Sequence, residues 1–97
     1  MNALVVRPLA AGGIDEAFAW YEDRSVGLGL DFLRAVDESL AILTSAPLRF
    51  PVVHRGVRRV LIRRFPYALF YVVEEDRVIV LACSHTRRHP SAWRRRR

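Results

Sequence analysis

Ninety-seven residues of 11.2 kDa make one small domain, 1–97, and leave no room for a second. The chain is 52% hydrophobic and 27% charged, enough apolar material for a single core and too much for long disorder. No apolar run approaches the roughly 18–20 residues that span a bilayer, so no membrane helix is expected.

The opening decapeptide lacks a basic stretch followed by an apolar segment, so a secretory leader is not expected either. Cys83 is the one cysteine, which excludes an internal disulfide and a multi-cysteine zinc site. A reducing cytoplasm is the expected compartment. Sixteen basic residues, all arginine, stand against ten acidic ones for a net charge of +6. Uniform arginine fits a host's codon composition as well as any function; its placement does not follow from composition. Residues 1–48 carry a net −4 and residues 49–97 a net +10. An acidic half followed by a strongly basic half points one surface toward an anionic partner.

In chain order, residues 3–8 read as a short first strand stopped by Pro8, which cannot donate to a ladder. Gly12-Gly13 is expected to open a helix, with Asp15 and Glu16 in its first turn, where the dipole favours negative charge. Ile14, Ala17, Phe18 and Tyr21 recur at i, i+3, i+4 and i+7 and form one apolar face. Gly27-Leu28-Gly29 separates this helix from a second, which carries Phe32, Leu33, Val36, Leu40 and Leu43 on one side and ends at Ala46-Pro47. Two amphipathic helices joined by a short loop form an antiparallel hairpin.

The period then changes. Residues 57–64, 67–74 and 77–84 are rich in β-branched and aromatic side chains and read as three strands. Phe65-Pro66 separates the first two, and Glu75-Asp76 the last two. Glu-Asp lacks the glycine of a tight hairpin turn, so a loop wider than two residues is expected there. The fold class is α+β: a strand, a two-helix antiparallel hairpin, then a mainly antiparallel sheet of three further strands, one face covered by the helices. Residues 94–97 read as a mobile basic tail.

No P-loop, dinucleotide fingerprint or nucleophile elbow is present. His85 and His89 stand four apart after a strand with no adjacent carboxylate, so no metal site is expected. What remains is basic. Arg58, Arg59, Arg63 and Arg64 lie on or beside one strand, and alternation sends them to both faces, one of which must be solvated. Some should converge with the segment after the last strand, which holds His85, Arg87 and Arg88. Guanidinium suits phosphate through its planar, permanently charged fork. His85 could move a proton near neutral pH, and Trp93 offers a flat surface for a base. The same residues also fit a solvated basic edge, with His85 hydrogen-bonded to backbone and Trp93 packed on the sheet.

The element order, together with Trp20-Tyr21-Glu22, Gly27-Leu28-Gly29 with Phe32, Phe65-Pro66-Tyr67 with Tyr71, and His85-x-Arg87-Arg88-x-Pro90, resembles the RelE/ParE superfamily of toxins from bacterial type II toxin–antitoxin operons. The resemblance covers essentially the whole chain. It implies a plasmid-stabilisation type of toxin that needs no cofactor and arrests growth unless bound by an antitoxin from the same operon. The basic half suggests that the antitoxin is acidic.

The resemblance also implies two mechanisms. RelE-like toxins cut mRNA on the ribosome without metal, so that a 2′-hydroxyl attacks its neighbouring phosphate. By position Arg59 replaces a RelE lysine, Arg87 matches a RelE arginine and Trp93 stands where RelE has a tyrosine, while His85 fits the late histidine of related ribonucleases. Arg58, Arg63, Arg64 and Arg88 would then hold nucleic acid or the target. Ala68 and Leu61, however, fall where RelE has an arginine and a second lysine, and Trp93 has no hydroxyl. ParE-like toxins lack the ribonuclease residues and inhibit DNA gyrase, and the long helix hairpin and late His-x-Arg resemble that branch more. A non-toxic nucleic-acid-binding module using the same arginines is the remaining alternative.

Overall fold

The structure is a computed structural model and describes residues 2–94. Its elements run β1 (Ala3–Val6), α1 (Pro8–Arg24), α2 (Leu28–Ser45), β2 (Val52–His54), β3 (Val57–Leu61), β4 (Tyr67–Glu74), β5 (Arg77–His85) and α3 (Ser91–Arg94). Five strands form one sheet in the order β1-β5-β4-β3-β2. All neighbours are antiparallel except β1 and β5, which run parallel with Ala3 opposite Arg77. The α+β architecture expected from the sequence is present, with a fifth strand added.

Helix α1 begins at Pro8, not at Gly12-Gly13. Proline's missing N–H is an orphan at the first helical position anyway, and its fixed φ suits the turn. Asp15 and Glu16 therefore sit inside the helix, and its first turn carries no acid. Ala17 and Tyr21 are buried as the apolar spacing required.

The link to α2 is built by a side chain. The Glu22 carboxylate accepts the backbone N–H of Gly27 at 3.0 and 3.1 Å and that of Gly29 at 3.0 Å, capping α2 from the preceding helix. Gly27 takes φ 90°, and a β-carbon on Gly29 would lie 2.8 Å from the Phe18 ring. Much of the sequence pattern around residues 20–29 is thus a device for turning the hairpin tightly. Phe32, Val36 and Leu43 of α2 are buried against the sheet.

Strand β2 was not legible as three residues of Val-Val-His. It pairs with β3 through Arg55 and Gly56, both at positive φ (44° and 78°), as a two-residue hairpin turn demands. Strand β3 ends at Leu61 rather than at residue 64. The chain turns early because the Ile62 N–H bonds to the Tyr67 carbonyl at 2.9 Å and Arg64 adopts φ 70°. The β4–β5 loop is two residues, tighter than expected, with Glu75 at φ 57° doing what glycine usually does.

The far face of the sheet is not simply solvated. Val57, Ala68, Phe70, Val72, Ile79, Leu81 and Ala82 are buried there with Trp93 of α3. The central strands are consequently covered on both sides, which is why β4 and β5 read as nearly unbroken apolar runs.

Candidate functional site

The basic cluster read from the sequence is divided by the fold. Arg58 faces the helix side, in register with Tyr71. Its Nη1 donates to the Phe50 carbonyl at 2.6 Å and the Leu48 carbonyl at 3.2 Å. The Tyr71 hydroxyl donates to the Pro47 carbonyl at 2.8 Å, and burial pushes its acidity below that of an ordinary phenol. Arg58 and Tyr71 together clamp residues 47–50. That work satisfies otherwise unpaired carbonyls and leaves Arg58 little freedom to hold a phosphate.

Arg59 points the other way, opposite Phe70 on the far face, and is exposed. Arg63 and Arg64 lie beyond the strand in the turn, so alternation does not govern them. They line a cleft of about 360 Å³ with Asp31, Arg34 and Glu38 of α2. There Arg34 pairs with Asp31 at 3.0 Å. Acid and base alternate around this cleft, which is not a purely cationic surface.

Beyond β5, the His85 Nδ1 accepts the Arg87 backbone N–H at 3.0 Å, which puts the neutral ring's proton on Nε2. The ring meets Tyr67 edge-on, with centroids 5.2 Å apart. The Thr86 N–H donates to the Pro66 carbonyl at 2.9 Å, tying this segment to the β3–β4 turn. Arg87 and Arg88 are exposed and, among the described residues, make no ion pair.

Trp93 is not a platform for a base. Its indole stacks on Phe70 with centroids 4.2 Å apart and planes within 12°, and it is only 8% exposed. A stacked aromatic pair in a dry layer contributes about 0.5–1.5 kcal/mol beyond its buried area, so the ring serves the core. His54 meets it edge-on at 6.0 Å. Desolvation, then the charges of Arg94 and Arg55, hold the His54 imidazole below the usual histidine range. Arg94 closes α3; residues 95–97 of the expected tail lie outside the described residues.

Of the four residues expected to form a ribonuclease centre, Arg59 and Trp93 share the far face, while His85 and Arg87 lie at and just after the end of β5. Arg59 is on the far face in register with Phe70, Trp93 is buried against that same Phe70, and His85 is in register with Tyr67 on the helix side. The exposed aromatic is instead Trp20 of α1, half exposed, with the Arg24 guanidinium 4.0 Å from its ring centroid. Trp20, Tyr21, Pro66, Tyr67 and His85 line a pocket of about 390 Å³. In the sequence Trp20 stands out only within the Trp20-Tyr21-Glu22 pattern. A large aromatic flanking the apolar stripe, with Arg24 four residues on, was the available signal.

Comparison with known proteins decides the family. The family model for the ParE toxin of the type II toxin–antitoxin system, parDE, matches residues 4–90. The chain belongs to the ParE toxin family. It is a toxin of a type II toxin–antitoxin system, of the ParE-like kind. A chain from a chromosomal ParDE toxin–antitoxin system of P. aeruginosa is similar in fold at 20% identity, with a TM-score of 0.75. The similarity spans 88% of this chain and 96% of that one. No curated protein sequence matches the chain. For this ParE-family member, Glu22, Gly27 and Gly29 are explained by the helix hairpin alone, so that part of the pattern need not be sought in the chemistry. Among the described residues no helix is long and apolar enough to cross a membrane.

Proposed function

We propose that this ParE-family toxin acts in the cytoplasm by binding DNA gyrase, not by cutting RNA, and that an acidic antitoxin from the same operon holds it inactive. The observation that supports the choice of mechanism is that Arg59 and the buried Trp93 lie on the far face of the sheet while His85 lies on the helix side. A ribonuclease of the RelE kind needs proton-transfer and phosphate-holding groups around one scissile bond, within about 3 Å of the reacting atoms. An inhibitor that binds makes no such demand. The +10 second half supports an anionic antitoxin.

Expression of the chain alone should stop bacterial growth, and co-expression of the small protein encoded beside it should restore growth. Purified toxin should inhibit supercoiling by gyrase, and the same partner should reverse the inhibition. A ribosome-dependent endoribonuclease is the second reading, favoured by the exposed Arg87 and Arg88 two and three residues after His85. RNA end-mapping after brief induction separates the two. Discrete cleavage sites in translated messages that disappear with His85→Ala would overturn the gyrase assignment.

A further inference from the structure

Histidine rings hold the end of the chain in place. Residues 84–94 carry three arginines, two histidines and no acid. Within them α3 is a single turn. The Ala92 N–H donates to the His89 carbonyl at 2.9 Å, and the Trp93 and Arg94 N–H groups donate to the Pro90 carbonyl at 3.1 and 2.9 Å. One isolated turn is unstable in water, because its few bonds do not offset the ordering of its backbone. Its place depends on what grips it from outside.

Two grips are present. At the start of α3 the His89 Nδ1 accepts the Ser91 N–H at 3.2 Å, satisfying one of the amides that a helix leaves open at its N-terminus. Near its end Trp93 stacks on Phe70 and meets the His54 ring of β2 edge-on. Val57, Ala68, Leu81 and Ala82 are buried in the same layer, which is apolar throughout.

Both grips belong to unprotonated rings. An Nδ1 that accepts an N–H carries no proton, and protonation sets a donor against a donor. The Ser91 hydroxyl, 3.1 Å from the same nitrogen, can accept the new proton, so the ring keeps a neighbour while the amide loses its acceptor. A proton on His54 adds a cation to a surface that is already basic: Arg94 and Arg55 face it, and Arg59 stands opposite Phe70. Among the described residues the acid facing α3 is Glu16 of α1, across a cavity of about 480 Å³ lined also by Arg88 and Ala92. Neither His54 nor His89 lines that cavity. His85 holds the Arg87 N–H through the same kind of bond. Tyr67, Glu16 and Arg88 surround it, so a charge of each sign faces that ring, and it grips the segment before α3 rather than α3 itself.

We propose that α3 is an acid-released strap: neutral His54 and His89 keep it seated on Phe70, and protonation of the two rings frees it while the sheet and the helix hairpin stay folded. Release uncovers the apolar layer around Phe70 on the far face. The sign follows from His54, whose seated imidazole is held below the ordinary 6.5 by desolvation, then by Arg94 and Arg55. A released ring takes up the proton first, so the grip is fully present above about pH 6.5 and weakens as pH falls below that value.

Amide hydrogen exchange of the full chain at pH 7.5 and 5.0 reads the strap through the Ala92, Trp93 and Arg94 N–H groups. Each ring that binds its proton one pKa unit more tightly after release contributes about a factor of ten. Protection of these amides, corrected for the intrinsic pH dependence of exchange, should fall by about 10- to 100-fold. The β4 amides should stay the better protected at both pH values, as local opening requires. His89→Asn keeps a carbonyl acceptor for the Ser91 N–H and does not titrate. His54→Phe keeps a ring beside Trp93 and does not titrate either. In the double variant the fall should shrink to less than about threefold, half a pKa unit.

Urea unfolding at pH 7.5 checks that the variants are folded. Should the double variant fail to fold, His89→Asn alone, at an exposed position, should still remove one of the two factors. A fall that persists undiminished in the folded variants would overturn the proposal. So would strap and β4 amides dropping to a common protection, because the event would then be unfolding of the whole chain. Unchanged protection between pH 7.5 and 5.0 would equally refute it, since neither ring would then hold the strap.

Discussion

Gly13 lies against the carbonyl oxygen of Cys83 with no room between them for a β-carbon, while its neighbour Gly12 faces open space. Two adjacent glycines in one helix should therefore answer the same substitution in opposite directions. Gly12→Ala removes backbone freedom from the unfolded chain and should stabilise by about 0.5–1 kcal/mol. Gly13→Ala must push α1 off β5, and overpacking of this kind costs about 1–3 kcal/mol. Chemical denaturation of both variants measures the pair. Equal shifts of the same sign would show that α1 does not lie this close to β5.

Glu22 should be the most sensitive exposed-side acid in the helix hairpin. Its carboxylate satisfies two amides at the start of α2, three contacts in all. Glu22→Ala leaves both amides without that partner and should cost about 1–2 kcal/mol. For a domain of this size that is a drop of roughly 4–16 °C in melting temperature. Glu22→Gln keeps one acceptor and should recover part of the loss. An unchanged midpoint in Glu22→Ala would mean that water replaces the cap without penalty.

The Cys83 thiol should be silent in the native protein. It is 7% exposed, and burial pushes its pKa up to about 12. At neutral pH almost no thiolate is present, and thiolate is the nucleophile. An aromatic disulfide reagent should label the chain only at the rate of unfolding or opening, and at once in denaturant. Rapid stoichiometric labelling of the folded chain would contradict the burial.

His54 gives the stability a pH dependence of known sign. Its folded pKa is held below the ordinary 6.5, first by desolvation and then by Arg94 and Arg55. As pH falls, the unfolded chain takes up the proton before the folded one does. Its contribution is fully present above about pH 6.5 and declines as pH drops below that value. Proton NMR titration should place the His54 midpoint under 6.5. The loss of melting temperature between pH 7.5 and 5.5 should be smaller in His54→Gln. A midpoint at or above 6.5 would remove the effect.

How far the sequence could be read follows from the range of the signals. The helix hairpin was legible because its apolar residues repeat every three or four positions, a local pattern that packing reinforced. Pro8 is ambiguous in the sequence because proline stops a strand and starts a helix equally well; in the structure β1 ends at Val6 and Pro8 opens α1. Arg63 and Arg64 continue the strand's composition, but the Ile62–Tyr67 bond and the positive φ of Arg64 have already turned the chain away. Trp93 carried two opposite meanings, base platform or core, and only Phe70 beneath it distinguishes them. The pocket beside Trp20 could not be read at all, because it joins Trp20 and Tyr21 to Pro66, Tyr67 and His85 from the other end of the chain.

The parallel pairing of β1 with β5 also sets the order in which this protein can come into being. Ala3 pairs with Arg77 and donates its N–H to the Asp76 carbonyl, and the Arg7 N–H donates to the Val80 carbonyl. During synthesis the helix hairpin can form from local contacts, but β1 has nothing to pair with until residues 77–80 have been made. The last strand added lies at the interior of the sheet, between the first strand and β4. A nascent chain halted before β5 lacks the element that joins its two halves, so the finished toxin surface cannot exist on the ribosome ahead of the rest. Any partner that recognises that surface meets only completed molecules.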